Sequence, residues 1–455
     1  MKLSTFATAA LIGASSVEAA ISVTWTDENS VKKAMQTVAK GMTQYYTGNN
    51  PGDVPGNLPD PYYWWEAGAM FGALIDYWYY TGDDQFNEIT TQAMLHQIGP
   101  DQDYMPPNQS RTLGNDDQAF WGMSAMSAAE NKYPDPPQGQ PGWLALAQAV
   151  FNTQVPRWDN DTCGGGLKWQ IFTFNNGYNY KNTISQGCFF NIAARLARYT
   201  NNDTYSNWAE QAWDWTVAIG LMDGNFHFYD GTDDRINCTQ INHIQWTYNA
   251  GVYLYGAATM WNISAEAGEE TETTGKWHDR LAGIIKGLDV FTKNNQVLEE
   301  VACEANGKCN IDQRSFKAYI SRWMAATTKV APWTTDILQP VMTASRQAAV
   351  STCTGGDDGN QCGLRWTTGA FDGSTGVGEQ MAVLEVMGTA LIANVAGPLT
   401  NKTGGTSQGN PSAGSNSQKT PTSADPISTG DKAGAGFLTA VILIGILGGA
   451  WWMVV

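Results

Sequence analysis

Two consecutive acidic residues, Asp116 and Asp117, are the strongest candidates for chemistry in this 455-residue chain. They follow Gly114 and Asn115 and precede a run of small and aromatic residues, which is typical of a buried helix. Cleavage of a glycosidic bond needs one ionised carboxylate and one protonated carboxylic acid at the same bond. Because neighbouring residues diverge by about 100° around a helix, the two could serve one bond only at an irregular helix start. The purely structural interpretation is that Asn115 caps the helix and the aspartates complement its dipole.

A helix start would also separate the pKa values of the two acids. The helix N-terminus favours the ionised form of one carboxylate, whereas burial and the adjacent negative charge raise the pKa of the other. The chain also has 19 Trp and 18 Tyr, whose faces stack on the C–H surfaces of sugars. Core packing is the competing interpretation for any single aromatic residue. The candidate substrate-binding residues are Tyr63, Trp64, Trp65, Glu66, Asn115, Gln118, Trp121, Trp169, Gln170, Trp246, Tyr248 and Asn249.

The charge balance disfavours several other functions. The chain has 26 Lys and Arg against 43 Asp and Glu, a formal charge of −17, so we expect no nucleic-acid partner. Its four histidines lie at no ligand spacing from a cysteine or from one another, so we expect no metal and no cofactor. Asp223 to Asp234 superficially resembles a calcium loop but lacks the regular ligand spacing with a terminal Glu.

The elements that must hold the acidic pair are helices. Some helical windows are amphipathic and others, such as Glu66 to Leu74, are apolar on nearly all sides, which suits an outer and an inner ring. Tyr80 to Phe86 resembles Tyr199 to Tyr205, and each joins an inner-type to an outer-type helix. Their offset corresponds to two hairpins of about 60 residues, so we predict an all-α (α/α)6 toroid of six helical hairpins. An open solenoid is the alternative. The windows with apolar residues at three- and four-residue intervals are Val31–Tyr45, Trp65–Tyr80, Ala119–Ala129, Ile192–Tyr199, Trp208–Ile219, Tyr248–Trp261, Trp277–Phe291, Phe316–Ala326 and Glu379–Asn394.

The composition divides the chain into four segments. Residues 1–19 have an apolar run and end in Val17-Glu18-Ala19, which is typical of a secretory signal and its cleavage site. Residues 20–397 form the single helical domain. Residues 398–428 are rich in Ser, Thr, Gly and Pro, which predicts a flexible stalk. Residues 429–455 form a C-terminal signal for a glycosylphosphatidylinositol (GPI) anchor.

The C-terminal tail carries the evidence for the anchor. Phe437 to Val455 is uncharged and apolar, and no basic residue follows it, whereas an ordinary membrane span usually has a cytoplasmic Lys or Arg. The small residues Ser428-Thr429-Gly430 make Ser428 the expected attachment site, with Ser423-Ala424-Asp425 a poorer choice. A plain C-terminal membrane anchor is the alternative.

Seven cysteines and six sequons fit the secretory route. Cys303/Cys309 and Cys353/Cys362 flank short polar loops and should pair locally. Cys188 lies in an apolar helical run, where a buried free thiol is expected, and this leaves Cys163 to pair with Cys238. The glycosylation sequons are at Asn108, Asn160, Asn202, Asn237, Asn262 and Asn401.

Several motifs together resemble glycoside hydrolase family 76, the α-1,6-mannanases, and within it the fungal GPI-anchored cell-wall branch. The resemblance covers essentially the whole body and includes the signal, the stalk and the tail. It is carried by Gly114-Asn115-Asp116-Asp117-Gln118 with Trp121, Trp64-Trp65-Glu66-Ala67-Gly68, Cys163-Gly164-Gly165-Gly166-Leu167-Lys168-Trp169 and Tyr248-Asn249-Ala250-Gly251.

The resemblance implies an (α/α)6 barrel, retention of anomeric configuration, Asp116 as nucleophile and Asp117 as general acid/base. For the fungal branch it implies an α-mannoside donor, the mannose core of a GPI glycan, and a β-glucan acceptor that receives the glycoprotein. Water as acceptor would make the enzyme a hydrolytic endo-α-1,6-mannanase. We expect a monomer that passes through the endoplasmic reticulum to the outer face of the plasma membrane and the cell wall.

Two other classes of function fit part of the sequence. A non-catalytic GPI-anchored wall lectin would share the aromatic residues, sequons and stalk, but would not need two adjacent acids. Another enzyme on the same toroid, such as an inverting hydrolase or a lyase, could use Glu66 or Glu379 instead. Glu379 is interpreted first as a first-turn helix carboxylate.

The tail generates a first prediction. If Phe437 to Val455 belongs to a GPI signal, the mature protein lacks it, and a phosphoinositide-cleaving phospholipase releases the protein from membranes. Membrane fractions treated with and without the phospholipase measure this release. Recovery of an intact C-terminal peptide from the mature protein would contradict the prediction.

Overall fold

The computed structural model describes residues 21–109, 112–415 and 429–454. Within these ranges, six inner and six outer helices alternate along the chain and form a two-layered ring. The inner helices are α2 (Trp64–Thr81), α4 (Asn115–Glu130), α6 (Thr183–Thr200), α8 (Thr247–Glu266), α10 (Ile311–Val330) and α12 (Val377–Gly388). The outer helices are α1 (Glu28–Thr43), α3 (Asn87–His96), α5 (Trp143–Gln154), α7 (Asp203–Ala218), α9 (Lys276–Gly287) and α11 (Thr335–Ser351).

The ring is closed. Each inner helix packs against the next, α12 packs against α2, and α1 packs on α12. Because an outer helix returns the chain after each inner helix, the inner helices run parallel and begin at one end of the barrel. The predicted (α/α)6 toroid is confirmed, and the open solenoid is wrong.

The repeated turn predicted from the sequence is present. Both copies end an inner helix with a left-handed residue, Gly82 at φ 74° and Asn201 at φ 54°, and lead into outer helices α3 and α7. Each of the nine predicted windows overlaps a helix, but Glu379–Asn394 extends beyond α12, which ends at Gly388. The helices without a predicted window are α3, α5 and α11.

Aromatic residues fill the barrel interior between α2 and α4. The Trp121 ring is fully buried and stacks on Trp64, with 5.1 Å between the ring centroids, and on Tyr104. Gly68 allows this approach, because a Cβ atom there would lie 2.7 Å from the Trp121 ring. These rings therefore hold the starts of α2 and α4 together.

Buried ion pairs join the inner helices toward their C-terminal ends. Arg322 of α10 contacts Asp76 of α2 at 2.8 Å and Glu385 of α12 at 2.6 Å. Arg195 of α6 contacts Glu130 of α4 at 2.6 Å. Breaking a buried pair by removing one partner leaves an uncompensated charge, so these contacts couple helices that are distant in sequence.

A small antiparallel sheet lies at the end where the inner helices begin. Its strands are β1 (Tyr180–Asn182), β2 (Gly231–Asp233) and β3 (Ile241–Asn242), in the order β1-β2-β3. Asn182 pairs with Gly231, and Gly231 also pairs with Asn242. The sheet thus places Asn182 beside Asp230, the residue before β2.

The predicted disulfides are confirmed. The structure contains Cys163–Cys238, Cys303–Cys309 and Cys353–Cys362, and Cys188 is free and buried in α6. Five of the sequon asparagines are exposed, namely Asn108, Asn160, Asn202, Asn237 and Asn401. Asn262 is half-buried, and its amide accepts from Arg198 and donates to the Val330 carbonyl. The structure therefore disfavours glycosylation at Asn262, against the expectation from the sequon.

The chain after the last barrel helix does not leave the body at residue 398, where the stalk was predicted to begin. Residues 398–415, which we call the strap, continue along the surface. The Leu399 and Asn401 amides donate to the ends of α4 and α6, and Ser407 accepts from the first turn of α5. Asn152 near the end of α5 donates to the carbonyls of residues 411 and 413. This polar segment stays bound because side-chain amides of α5 form hydrogen bonds with its backbone groups.

The last helix, α13 (Thr429–Val454), contains a stretch from Lys432 to Gly449 that is long and apolar enough to cross a membrane. The predicted secretory signal and the attachment residue Ser428 lie outside the described residues. Both remain predictions.

The strap generates a second prediction. A chain that ends at Gly397 should melt about 2–4 °C below one that ends at Ser415, because the hydrogen bonds to α5 are lost. Differential scanning calorimetry of both chains measures this difference. Equal melting temperatures would show that the strap does not stabilise the domain.

Candidate active site

Asp116 and Asp117 lie in the first turn of α4, at the barrel end where the inner helices begin. Asn182 Nδ2 donates to Asp116 Oδ2 at 3.0 Å, and the Asp117 amide donates to Asp116 Oδ1 at 3.1 Å. Asp117 Oδ2 accepts from the Gly114 amide at 2.6 Å. The two carboxylates are therefore fixed by different donors and open into the same cleft.

The surroundings raise the pKa values of both acids. Burial raises the pKa of Asp116 to about 7, opposed by the hydrogen bond from Asn182. Burial, followed by the negative charge of Asp116, raises the pKa of Asp117 well above its usual range. Asp116 is therefore the first of the two to ionise, and Asp117 is the acid better suited to hold a proton.

The cleft around the pair has a volume of about 190 Å³. Four acids reach it, and aromatic side chains form most of its remaining wall. The residues lining it are Trp65, Asp116, Asp117, Phe120, Trp169, Tyr180, Asn182, Asp230, Tyr248, Asp312 and Phe316. This combination of ring faces and carboxyl groups fits a sugar, with stacking on C–H surfaces and hydrogen bonds to hydroxyl groups.

Asp230 and Asp312 are site residues that the sequence analysis missed. Asp230 accepts from the Tyr180 hydroxyl at 2.6 Å and from Trp246 Nε1 at 3.0 Å. Asp312, in the first turn of α10, accepts from Trp65 Nε1 at 3.1 Å. Burial raises the pKa of Asp230, and it raises that of Asp312 to about 6. Asp312 could have been found as an acid at an inner-helix start, whereas Asp230 is placed by strand pairing.

A loop held by backbone hydrogen bonds brings Trp169 into the cleft. The Asn115 amide donates to the Trp169 carbonyl at 2.8 Å, and the Trp169 amide donates to the Tyr180 carbonyl at 2.6 Å. Gly177, at φ 89°, lies against the Trp169 ring. The start of α4 and strand β1 therefore fix this aromatic wall.

Three of the twelve predicted substrate-binding residues, Trp65, Trp169 and Tyr248, line the cleft. Tyr248 also stacks on Phe316 with 3.8 Å between the ring centroids. Tyr63 is exposed beside the start of α2. Trp246 supports the wall from behind through its hydrogen bond to Asp230.

The remaining seven predicted residues do not line the cleft, because their side chains are buried elsewhere. Trp64 and Trp121 pack in the core. Within the described ranges, the side-chain polar atoms of Glu66 and Asn249 are buried and have no hydrogen-bond partner. Arg157 fixes Asn115 and Gln118 by contacts of 3.0 and 2.7 Å. Gln170 lines a separate depression beside Arg157. Consecutive helical residues point in different directions, which separates Trp64 from Trp65 and Asn115 from Asp116.

No group of three or more His, Cys, Asp or Glu side chains in the described ranges is arranged to hold a metal ion.

Comparison with known proteins places this geometry in a family. The model of Glycosyl hydrolase family 76 matches residues 30–402. Mannan endo-1,6-alpha-mannosidase DCW1 of Saccharomyces cerevisiae is 46% identical over 427 residues, which cover 93% of each chain. The crystal structure of Dfg5 from Chaetomium thermophilum in complex with glucosamine has a TM-score of 0.83 at 45% identity, covering 88% of this chain and 98% of that one.

A more distant solved structure shares the fold. It is an inactive variant of an α-1,6-mannanase from Salegentibacter sp., in complex with α-1,6-mannotriose. Its TM-score is 0.60 at 17% identity, and the match covers 80% of this chain and 99% of that one.

The raised pKa of Asp117 generates a third prediction, about stability. The folded protein disfavours the ionised form of Asp117. The resulting decrease in the free energy of unfolding is absent near pH 4 and grows as the pH rises toward the pKa of Asp117 in the folded state. Asp117→Asn should therefore melt about 2–4 °C above the wild type at pH 8 and equal it at pH 4. Asp84→Asn, at an exposed site, is the matched control for thermal melts at both pH values. A gain that is the same at pH 4 and pH 8 would contradict this assignment.

Proposed function

The chain belongs to glycosyl hydrolase family 76 and is a glycosidase, and from this we propose that it cleaves α-mannosides with retention and transfers the glycan to a second sugar. The observation that carries the proposal is the pair at the start of α4. Asp116 is held by two donors, whereas Asp117 lies under the charge of Asp116. One acid is thereby prepared to attack and the other to donate a proton.

In the first step, the Asp116 carboxylate attacks the anomeric carbon and forms a glycosyl ester. Asp117 donates its proton to the departing glycosidic oxygen, so the leaving group departs as an alcohol. Asn182 and the Asp117 amide hold the attacking carboxylate in place. Removal of its proton leaves Asp117 negatively charged beside a neutral ester, which lowers the repulsion between the two groups.

In the second step, Asp117 takes a proton from an acceptor hydroxyl, which then attacks the anomeric carbon and releases Asp116. Two inversions restore the original configuration. A sugar hydroxyl as acceptor gives transfer, and water gives hydrolysis, so the hydrolytic endo-α-1,6-mannanase is the alternative outcome of the same chemistry. Aromatic walls at Trp65, Trp169 and Tyr248 support a sugar in the cleft.

We propose that the donor is the mannose core of a GPI glycan and the acceptor a cell-wall β-glucan. The relatives named mannan endo-1,6-alpha-mannosidase support a mannoside donor. The relative in complex with glucosamine supports an amino sugar as part of the substrate. The Asp230 and Asp312 carboxyl groups could accept hydrogen bonds from its ammonium group. The apolar helix α13 supports GPI attachment and a location at the outer membrane face and in the wall.

The structure weakens the two competing functions. Glu66 lies outside the cleft with its carboxyl buried and unpartnered, and Glu379 is bound by Ser374 and Arg314. An enzyme that uses these acids would therefore lack an accessible catalytic group. A lectin would have no need for adjacent buried acids with raised pKa values.

Two substitutions test the roles as a fourth prediction. Asp116→Asn should abolish covalent trapping by an activated mannosyl donor, measured by mass spectrometry. Asp117→Asn should slow a donor with a poor leaving group by about 10²–10⁴-fold, and one with a good leaving group much less, because only the first needs protonation. Rates are measured with and without a β-glucan oligosaccharide, which separates transfer from hydrolysis.

Glu66→Gln is the matched control, because its buried carboxyl has a pKa raised well above the usual range and glutamine has nearly the same shape. It should retain trapping and both rates. If both aspartate variants fold, bind mannosides and keep full activity, the pair is only a helix cap and the proposed mechanism is wrong.

A further inference from the structure

A second depression opens at the same end of the barrel, between the starts of α10 and α12. We call it the arginine pocket; its volume is about 450 Å³, and its polar lining includes Arg314, Arg365, Asp372, Ser374 and Thr375. It is distinct from the cleft, with which it shares no lining residue. The proposed mechanism uses neither of its two guanidinium groups, and the fold gives structural contacts to that of Arg314.

The positive charge in the arginine pocket is incompletely neutralised. Within the described ranges, the Arg365 guanidinium has no ion pair and no hydrogen-bond partner, although its backbone amide donates to Asp372. Arg314 is 30% exposed and makes one long contact, 3.4 Å, to Glu379. Its Nε donates to the Cys309 carbonyl at 3.3 Å. Both guanidinium groups therefore keep free donors.

Both carboxylates at the arginine pocket already have partners. Asp372 accepts from the backbone amides of Leu364, Arg365 and Ser374 at 3.0–3.2 Å. Glu304 Oε1 pairs with the buried Lys317 at 2.7 Å, and Oε2, which has no partner in the described chain, is buried away from a ligand. The unused accessible groups of the pocket are thus the positively charged guanidinium donors.

The pocket is connected to the cleft through one helix start. Asp312, which lines the cleft, and Arg314, which lines the arginine pocket, are two residues apart in the first turn of α10. Such residues diverge by about 200° around a helix, so the two side chains leave opposite sides of it. The first turn of α10 therefore separates the two depressions, and a glycan that reaches both would pass over it.

We propose that the arginine pocket binds a phosphate ester carried by the donor glycan, an inference that rests on the proposed function. Guanidinium groups present planar pairs of donors that match phosphate oxygens. The Thr375 hydroxyl, which has no partner in the described chain, adds a neutral donor at the lining. In a chain with a net charge of −17, the overall field repels anions, so binding one requires such a local set of donors.

The fifth prediction compares two matched probes, an α-mannobioside and the same compound with an ethanolamine phosphodiester. Calorimetry with the mature protein should give about tenfold tighter binding for the phosphorylated probe. Arg365→Gln should remove that difference, because within the described ranges the Arg365 guanidinium has no hydrogen bond or ion pair to lose. Lys286→Gln, which removes an exposed charge on outer helix α9, should keep it.

Several outcomes would overturn the proposal. Equal affinity of the wild type for the two probes excludes a phosphate subsite, and equal losses in the Arg365 and Lys286 variants indicate general electrostatic attraction. Sedimentation with phosphatidylinositol or phosphatidylcholine vesicles tests a lipid source. The protein could bind phosphatidylinositol in a way that depends on Arg365 and yet show no preference between the two glycan probes. That result would assign the phosphate to a lipid headgroup instead. Because these are binding measurements, absence of turnover would refute the proposed function separately.

Discussion

The structure depends on how buried acids meet five of the six inner-helix N-termini at one end of the barrel. Each helix start carries a partial positive charge, and the parallel inner helices bring these charges together. Glu66, Asp312 and Glu379 lie in first turns of inner helices, as do Asp116 and Asp117. At α8, which has no acid in its first turn, Glu300 reaches in from a loop and accepts from the Thr247 amide. The toroid thus provides a place where adjacent carboxyl groups can be buried.

The remaining buried acids show what distinguishes Asp116 and Asp117. Asp76, Glu130 and Glu385, toward the other end of the inner helices, each have an arginine within 3 Å. In the described part of the chain, Asp116 and Asp117 have no Lys or Arg within 4 Å. The arginine pairs join separate helices and so stabilise the barrel, whereas the Asp116 and Asp117 carboxyl groups are held by neutral donors and open into the cleft. The difference in partners therefore distinguishes acids that support the fold from acids that can act in the cleft.

The fold was predictable because the helical period and the repeated turn are local signals. The acidic pair was predictable for the same reason, since its position at a helix start is visible in consecutive residues. The cleft wall was not predictable, because its members come from separate elements. Asp230 reaches the cleft through pairing of β2 with β1 and β3, which no local pattern reports. In contrast, the aromatic residues next to true wall residues were overpredicted: Trp64 turns to the core while Trp65 turns to the cleft, about 100° apart on one helix.

The strap determines which end of the barrel the C-terminal chain departs from. It begins near the ends of α4 and α6 and follows α5 to Asn152, close to the turn where Gln154 donates to the Asn115 carbonyl. The chain therefore leaves the domain on the side of the cleft. Residues 416–428 span at most about 45 Å when fully extended. If the residues that follow are attached to a surface, this short tether keeps the cleft close to that surface. Substrates attached to the same surface would then be present at a high effective concentration.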